Sequence, residues 1–400
     1  MSYEAPYEGL KVVDISQGIA GPYAAMLMAQ YGADVVKIEP LEGDWSRSLG
    51  RRYGDQTAFS IAGNLGKRSV AVDLKSEAGR EIVYALVERA DVFIEGFRPG
   101  VTARLGFGYE EISRRNPRIL YLAVSGFGQA GPLSTRPGMD PVLQAFTGML
   151  DANKGEDGIP HRIPIIPIDM ATALYGFQAL STALYARQGE AKGRYIDANL
   201  LQSGASLQIV RMMATHLEKG EMEVSRVPTG VFPTKDGWIN LVVLREPHFA
   251  TLCDVLGIPE VAADPRFATN AERMKRAAEV NGIINEALAR RTSDEWCERL
   301  AEVGLLHEKV RDYAEFLEHP HVKALGAISW LDQPGVPEPV PFPNAPGVRP
   351  PQSGTPRAVA PGLGEHTREV LTALGMSEER LASLAAQKVI LGTKELAAVS

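Results

Sequence analysis

The first 125 residues alternate short apolar runs with helix-forming stretches, and that alternation restricts the fold more than any other feature. Leu10–Ile15, Asp34–Glu39, Ser69–Leu74, Asp91–Glu95 and Ile119–Ser125 each read as a strand that is nearly continuous in apolar side chains. A strand of that kind is buried on both faces, and helices between successive strands supply the cover, so the pattern predicts an α/β domain with a parallel sheet. The first helix follows the turn Gly18–Gly21 and runs through Met26 and Met28; Ser76 reads as an N-cap. The segment Gly18-Ile19-Ala20-Gly21-Pro22 is not a GxGxxG fingerprint, and Pro22 removes an amide that a pyrophosphate would need. A nicotinamide cofactor is therefore not expected.

A second segment begins at Asp169, with a helix over Met170–Arg187, a strand over Tyr195–Ala198 and a helix over Leu200–Leu217. Val231–Val243 reads as a hairpin turning at Lys235-Asp236-Gly237, and helical patterns run from His248 to Leu305. Ten of the 27 prolines lie between Pro334 and Pro361, which predicts an extended strap on the surface rather than a core element. A helix-rich tail covers Gly364–Ile390. At 400 residues two domains are expected. We place a smaller α+β domain at 225–330 and a linker helix at 206–224.

The net charge of −7 argues against a nucleic-acid partner. Cys253 and Cys297 are far apart and outside metal-ligand spacing, and His319-Pro320-His321 lacks carboxylate neighbours, so no metal site is expected. The opening MSYEAPYEGL has no leader profile and no apolar run reaches membrane length, which predicts a cytoplasmic protein with no membrane partner.

Several stretches, taken in order, resemble the class III coenzyme A transferases, the CaiB/BaiF-type family that includes formyl-CoA transferase and the 2-methylacyl-CoA racemases. They are Ala20-Gly21-Pro22 with Gly32–Glu39, Lys67-Arg68-Ser69 with Val72–Lys75, Gly96–Gly100, Ser125–Gly128, Asp169, Asp264–Phe267 and Leu363–His366. The resemblance implies a discontinuous Rossmann-like large domain over 1–205 and 331–400, an interlocked homodimer, acyl-CoA and carboxylate substrates, CoA as substrate rather than a tightly bound cofactor, and Asp169 as covalent nucleophile. It also implies Asp140 as an auxiliary carboxylate. Residues matching the family's CoA contacts are Ile19, Ala20, Val72, Asp73, Leu74, Lys75, Gly96, Phe97, Arg98 and Arg104. Ile19 stands where formyl-CoA transferase has Gln, and Pro40 where relatives have a CoA-binding arginine, which weakens a formyl-CoA or oxalate assignment. Succinyl-CoA with small dicarboxylates is an expectation by analogy alone.

The residue types suit that chemistry. A carboxylate that attacks a thioester forms a mixed anhydride of similar reactivity, so CoA can be returned; a serine ester would be too stable. The model carboxylate range near ~3.9 predicts an ionised Asp169 at neutral pH, and an N-cap position would add ~0.3–1 kcal/mol toward the anion. Amides of that first helical turn are candidate oxyanion donors. From the residues alone, Asp169 reads first as a plain N-cap, and its catalytic role comes from the resemblance; Asp140, ahead of Pro141–Leu150, is equally readable as an N-cap. Lys75, Arg98 and Arg104 suit phosphates. Two alternatives are a 2-methylacyl-CoA racemase, which needs a second base where Met139 stands, and a CoA-binding subunit without catalysis.

Overall fold

The computed structural model describes residues 4–155, 157–219 and 226–391. Six strands, β1 (Lys11–Asp14), β2 (Asp34–Glu39), β3 (Arg68–Ala71), β4 (Val92–Glu95), β5 (Leu120–Ser125) and β6 (Arg194–Asn199), form one sheet. Its order is β3-β2-β1-β4-β5-β6 and every pairing is parallel. The connecting helices include α1 (Ala20–Gln30), α2 (Ala58–Asn64), α3 (Glu77–Val87), α4 (Val101–Leu105) and α5 (Tyr109–Arg115). They continue with α6 (Asp140–Phe146), α7 (Met149–Ala152), α8 (Pro167–Ala186), α9 (Leu200–Leu207) and α10 (Ile209–Leu217). One face of the sheet packs with α3 around Val13, Val70, Ile82 and Phe93, the other with α1 and α8 around Ala24, Met28, Ile94 and Leu180. The α/β fold with a parallel sheet agrees with the sequence pattern. Ser76 caps α3, accepting a hydrogen bond from the Gly79 amide at 3.0 Å.

The strand order reverses direction between β1 and β4, each of which has its successor on its own outer side. Ligands of open α/β sheets bind in the crevice outside the carboxyl ends at such a switch point. The segments leaving those ends are Ile15–Ile19 and Gly96–Gly100.

Two compact units are distinguished, Met1–Met212 with Ala324–Ser400, and Met213–Lys323. The boundary thus falls at Lys323 rather than at 330, because β10 (Ile328–Leu331) pairs antiparallel with β11 (Val340–Pro343) within the first unit. The stretch assigned to a linker helix at 206–224 holds the end of α9 and all of α10; its last residues, 220–224, lie outside the described residues. The second unit has a three-stranded antiparallel sheet, β7 (Thr229–Pro233), β8 (Trp238–Val242) and β9 (Leu306–Lys309), and its core packs helices around Trp296, Phe249 and Leu288. No described helix is long and apolar enough to cross a membrane.

The proline-rich strap is more than a surface strand. Leu331, Phe342, Ala358 and Ala360 are buried with Met26, Leu27, Ile61 and Leu65 in a core cluster of their own. Prolines that lack a donor occupy the β10–β11 pair and its loop, while the residues between them turn inward.

Candidate active site

A cavity of about 270 Å³ opens at the switch point, and Asp169 lines it together with Ile19, Ala20, Gly96, Phe97 and Arg98. Six of the residues singled out from sequence therefore meet in one place. Val72, Asp73, Leu74, Lys75 and Arg104 do not line this cavity. Val72 and Leu74 are buried in the core, and the Asp73 carboxylate accepts from the Lys75 amide at 3.0 Å. Because all the strands are parallel, Lys75 still leaves the sheet on the same edge, two strands from β1, or ~10 Å. Among the described residues, Lys75, Arg98 and Arg104 form no ion pair, so their charges are not compensated within the chain.

Asp169 sits in the first turn of α8, whose N-cap is Ile166 and which begins with Pro167. It is thus the third helical residue and not the N-cap the sequence suggested. Ile166 offers no capping side chain, and Asp140 supplies the cap from another helix. Its Oδ2 accepts from the amides of Ile168 at 2.7 Å and Asp169 at 3.1 Å, while Oδ1 accepts from Gln144 Nε2 at 2.6 Å. Asp140 is fully buried and is the first residue of α6, so it caps α8 rather than its own helix. Gln144 also binds the backbone of Ile163 through both amide atoms, at 3.2 and 3.1 Å, tying down the approach to α8.

Two sequence expectations are corrected here. The first-turn amides of α8 are not oxyanion donors, because Asp140 occupies them and Pro167 has none. Nor is Asp169 fully ionised at neutral pH. Burial first, and the Asp140 carboxylate second, push its carboxyl up from 3.8 to about 7. That rise outweighs the ~0.3–1 kcal/mol that a helix N-terminus contributes toward the anion.

Ala20 and Gly21, the first two residues of α1, line the same cavity, and α1 has no side-chain cap. Gly18 enters this helix at φ +84°, and a Cβ there would meet the Trp45 ring at 2.3 Å, so the turn admits only glycine. On the opposite wall, a Cβ on Gly126 would lie 2.8 Å from the Gly138 Cα. That close approach brings Arg136 and Met139 to the rim. Glu95 holds the Gly96–Phe97 turn by accepting the Phe97 amide at 2.8 Å, and burial pushes its carboxyl up to about 8.

Sequence reading passed over the buried charges beneath this loop. Lys67 Nζ lies 2.8 Å from Asp14 Oδ2, and Lys37 Nζ lies 3.1 Å from Asp44. Asp44 in turn accepts the Gly18 amide at 3.0 Å, and Lys37 donates to the Ser16 carbonyl. Glu39 binds Arg47 at 2.7 and 2.8 Å, and these contacts hold it down at about 2 despite its burial. The visible signal was a lysine and a glutamate inside an otherwise apolar strand, Val35-Val36-Lys37-Ile38-Glu39. Arg136, Gln17 and Trp45 were also missed as lining residues; a loop cation just before Pro137-Gly138 carries little signal of its own.

Residues 7–367 match the family described as "CoA-transferase family III". Acetyl-CoA:oxalate CoA-transferase of Acetobacter aceti is 34% identical over 80% of this chain and 85% of that protein. Human succinyl-CoA:glutarate CoA-transferase is 31% identical over 92% of this chain and 85% of its own. A CAIB/BAIF family protein from Brucella suis, of known crystal structure, superposes with a TM-score of 0.83 at 30% identity, covering 93% of this chain and 100% of the other. The chain belongs to CoA-transferase family III, and it is a CoA-transferase enzyme.

Proposed function

We propose that this enzyme moves CoA from a donor acyl-CoA to an acceptor carboxylic acid through covalent intermediates on Asp169. The observation that carries the reading is that Asp169, the one carboxylate among the described residues lining the switch-point cavity, shares it with the Gly96–Arg98 turn and the first residues of α1. The ionised carboxylate attacks the thioester carbonyl and expels CoA thiolate, leaving a mixed anhydride. The thiolate attacks the aspartyl carbonyl and releases the first acid, giving an aspartyl-CoA thioester. The acceptor carboxylate then expels the thiolate into a second anhydride. Thiolate attack on the acceptor's carbonyl yields the new acyl-CoA and free Asp169. Each step exchanges one acyl bond for another of similar energy and consumes no water. The Ala20 and Gly21 amides are the donors for the developing oxyanion. Asp140 acts as a positioning residue, since its oxygens are taken up by α8 and Gln144.

Incubation with acyl-CoA and no acceptor, followed by hydroxylamine trapping and peptide mass spectrometry, tests this. The label is expected on Asp169; a label on another residue overturns the assignment.

The raised carboxyl has a kinetic consequence. Only the ionised form attacks, so kcat/KM should rise about tenfold per pH unit below 7 and level off above it. A rate already constant between about pH 5.5 and 8 contradicts the environment described for Asp169.

Lys75, Arg98 and Arg104 form the proposed phosphate contacts, with Val72–Leu74 and Gly96–Phe97 flanking the CoA along the sheet edge. Arg104→Ala should raise KM for the acyl-CoA roughly tenfold with little change in kcat, because a phosphate contact acts equally in ground and transition states. An unchanged KM removes Arg104 from the site. We also propose a homodimer. Ile209, Val210, Met212, Met213 and Leu217 of α10 are all exposed, a density of apolar side chains that supports burial against a second copy.

A further inference from the structure

A second cavity, of about 550 Å³, shares Ile19 with the Asp169 cavity. Its wall comes from α1, α2, the start of α8 and the strap, and includes Tyr23, Ala62, Met170, Val336 and Phe342. Among the described residues, no lysine, arginine, aspartate, glutamate or histidine lines it. The Asp169 cavity differs in having Arg98 and Arg136 on its wall. Two observations join the cavities. Ile19 lines both, and its Cδ1 points toward α2, 4.0 Å from where a Gly63 Cβ would stand. Ile166 and Met170, one helical turn apart, line the second cavity and flank Asp169 on the adjoining face of α8.

We infer that this second cavity receives the acyl chain of the thioester substrate, and that the enzyme therefore accepts apolar monocarboxylic acyl groups. This rests on the transfer reading above. At the carbonyl carbon attacked by Asp169, the sulfur and the acyl chain must leave in different directions. CoA is served by the Gly96–Arg98 side, which leaves the path past Ile19 to the acyl chain. The pantetheine arm does not suit this wall, because its amides would be buried without partners at a cost of several kcal/mol in the worst case. A distal carboxylate fares worse still in a space without a cation. An alkyl or aryl chain loses nothing there and gains by leaving water.

The test follows isotope exchange between each acyl-CoA and its own carbon-13-labelled free acid, so no acceptor need be known. Propionyl-, butyryl-, hexanoyl- and octanoyl-CoA are compared with succinyl-CoA. Exchange kcat/KM should rise along the aliphatic series by roughly fourfold per methylene, the equivalent of ~0.8 kcal/mol, until the cavity is filled. Ala62→Phe, which projects a ring into the space, should lower the octanoyl-to-propionyl ratio by tenfold or more. Val336→Ala, which enlarges it, should keep or raise that ratio and guards against a folding defect in the first variant. Exchange of succinyl-CoA with a flat or falling aliphatic series overturns the acyl cavity and leaves the transfer reading standing. An unchanged ratio in both variants also overturns it. Absence of exchange with every acyl-CoA overturns the transfer reading and this inference with it.

Discussion

Asp169→Asn is expected to lower CoA transfer by roughly 10⁴-fold or more, in line with the loss of other covalent nucleophiles, while raising the melting temperature at pH 8. The first effect follows because an amide cannot form the anhydride and, among the described residues, no other carboxylate lines the cavity: Asp140 is fully buried and spends its oxygens on α8 and Gln144. The second effect follows from the sign of the titration. The folded-state carboxyl titrates at about 7 against 3.8 for an ordinary aspartate, so the native state binds the proton more tightly than the unfolded chain. Wild-type stability is then fully present below 3.8 and declines as the pH rises through about 7, where a half-buried charge must be carried beside Asp140. Asparagine carries no such charge. The gain in melting temperature should therefore be absent below pH 3.8 and complete above about 7. Thermal unfolding at several pH values and initial rates with saturating acyl-CoA check both halves. Substantial activity in the variant removes Asp169 as nucleophile. A melting temperature that falls at pH 8 means that the side chain holds structure instead of storing electrostatic strain for the reaction.

The parts of this design that were legible in the sequence are local ones. Asp34–Glu39 reads as a strand and is one with the same bounds, because Val, Val and Ile on a doubly covered strand leave little ambiguity. The hairpin around Lys235-Asp236-Gly237 is present, since the turn chemistry is written in adjacent residues. Strand β9 was not anticipated: Leu306-His307-Glu308-Lys309 has no strand signature and is extended because β8 offers it an edge. The same limit governs the site. That Asp169 matches a catalytic position was visible from resemblance, but its titration depends first on its burial and then on Asp140, which is 29 residues earlier and caps a helix other than its own. Likewise Lys67 reaches Asp14 across 53 residues, and nothing near Lys67 in the chain announces the contact. The strap was legible as extended, yet Phe342 and Leu331 enter a core whose other half is α1 and α2. Burial of that kind is a property of the assembled layers.

The buried charges beneath the Gln17–Gly21 loop lead to the other large effect. Lys37→Met should destabilise the protein by about 3–5 kcal/mol at neutral pH, the usual consequence of removing one partner from a buried ion pair. Methionine fills nearly the same volume, so the loss is electrostatic and not a cavity. Lys37 Nζ lies 3.1 Å from Asp44 and 3.8 Å from Asp14, and all three side chains are buried. Burial alone would raise the Asp14 carboxyl, but Lys37 and Lys67 outweigh it and hold it below 3.8. That contribution to stability is present above 3.8 and lost as the pH falls through the depressed folded value. Without Lys37, burial regains weight and Asp14 moves upward, so the variant takes up this proton at a higher pH than the wild type does. The stability gap measured by denaturant unfolding should consequently narrow as the pH falls toward 3.8. Activity should fall as well, because Lys37 holds the Ser16 carbonyl and Asp44 holds the Gly18 amide on either side of Gln17, the approach to Ile19 and Ala20. Adding Asp44→Asn to Lys37→Met removes an uncompensated carboxylate, and the double variant should lose less stability than the sum of the single losses. Strict additivity, or a Lys37→Met protein within about 0.5 kcal/mol of wild type, would mean that these charges do not act as one network. The loop would then owe its position to the Gly18–Trp45 contact and the packing of α1.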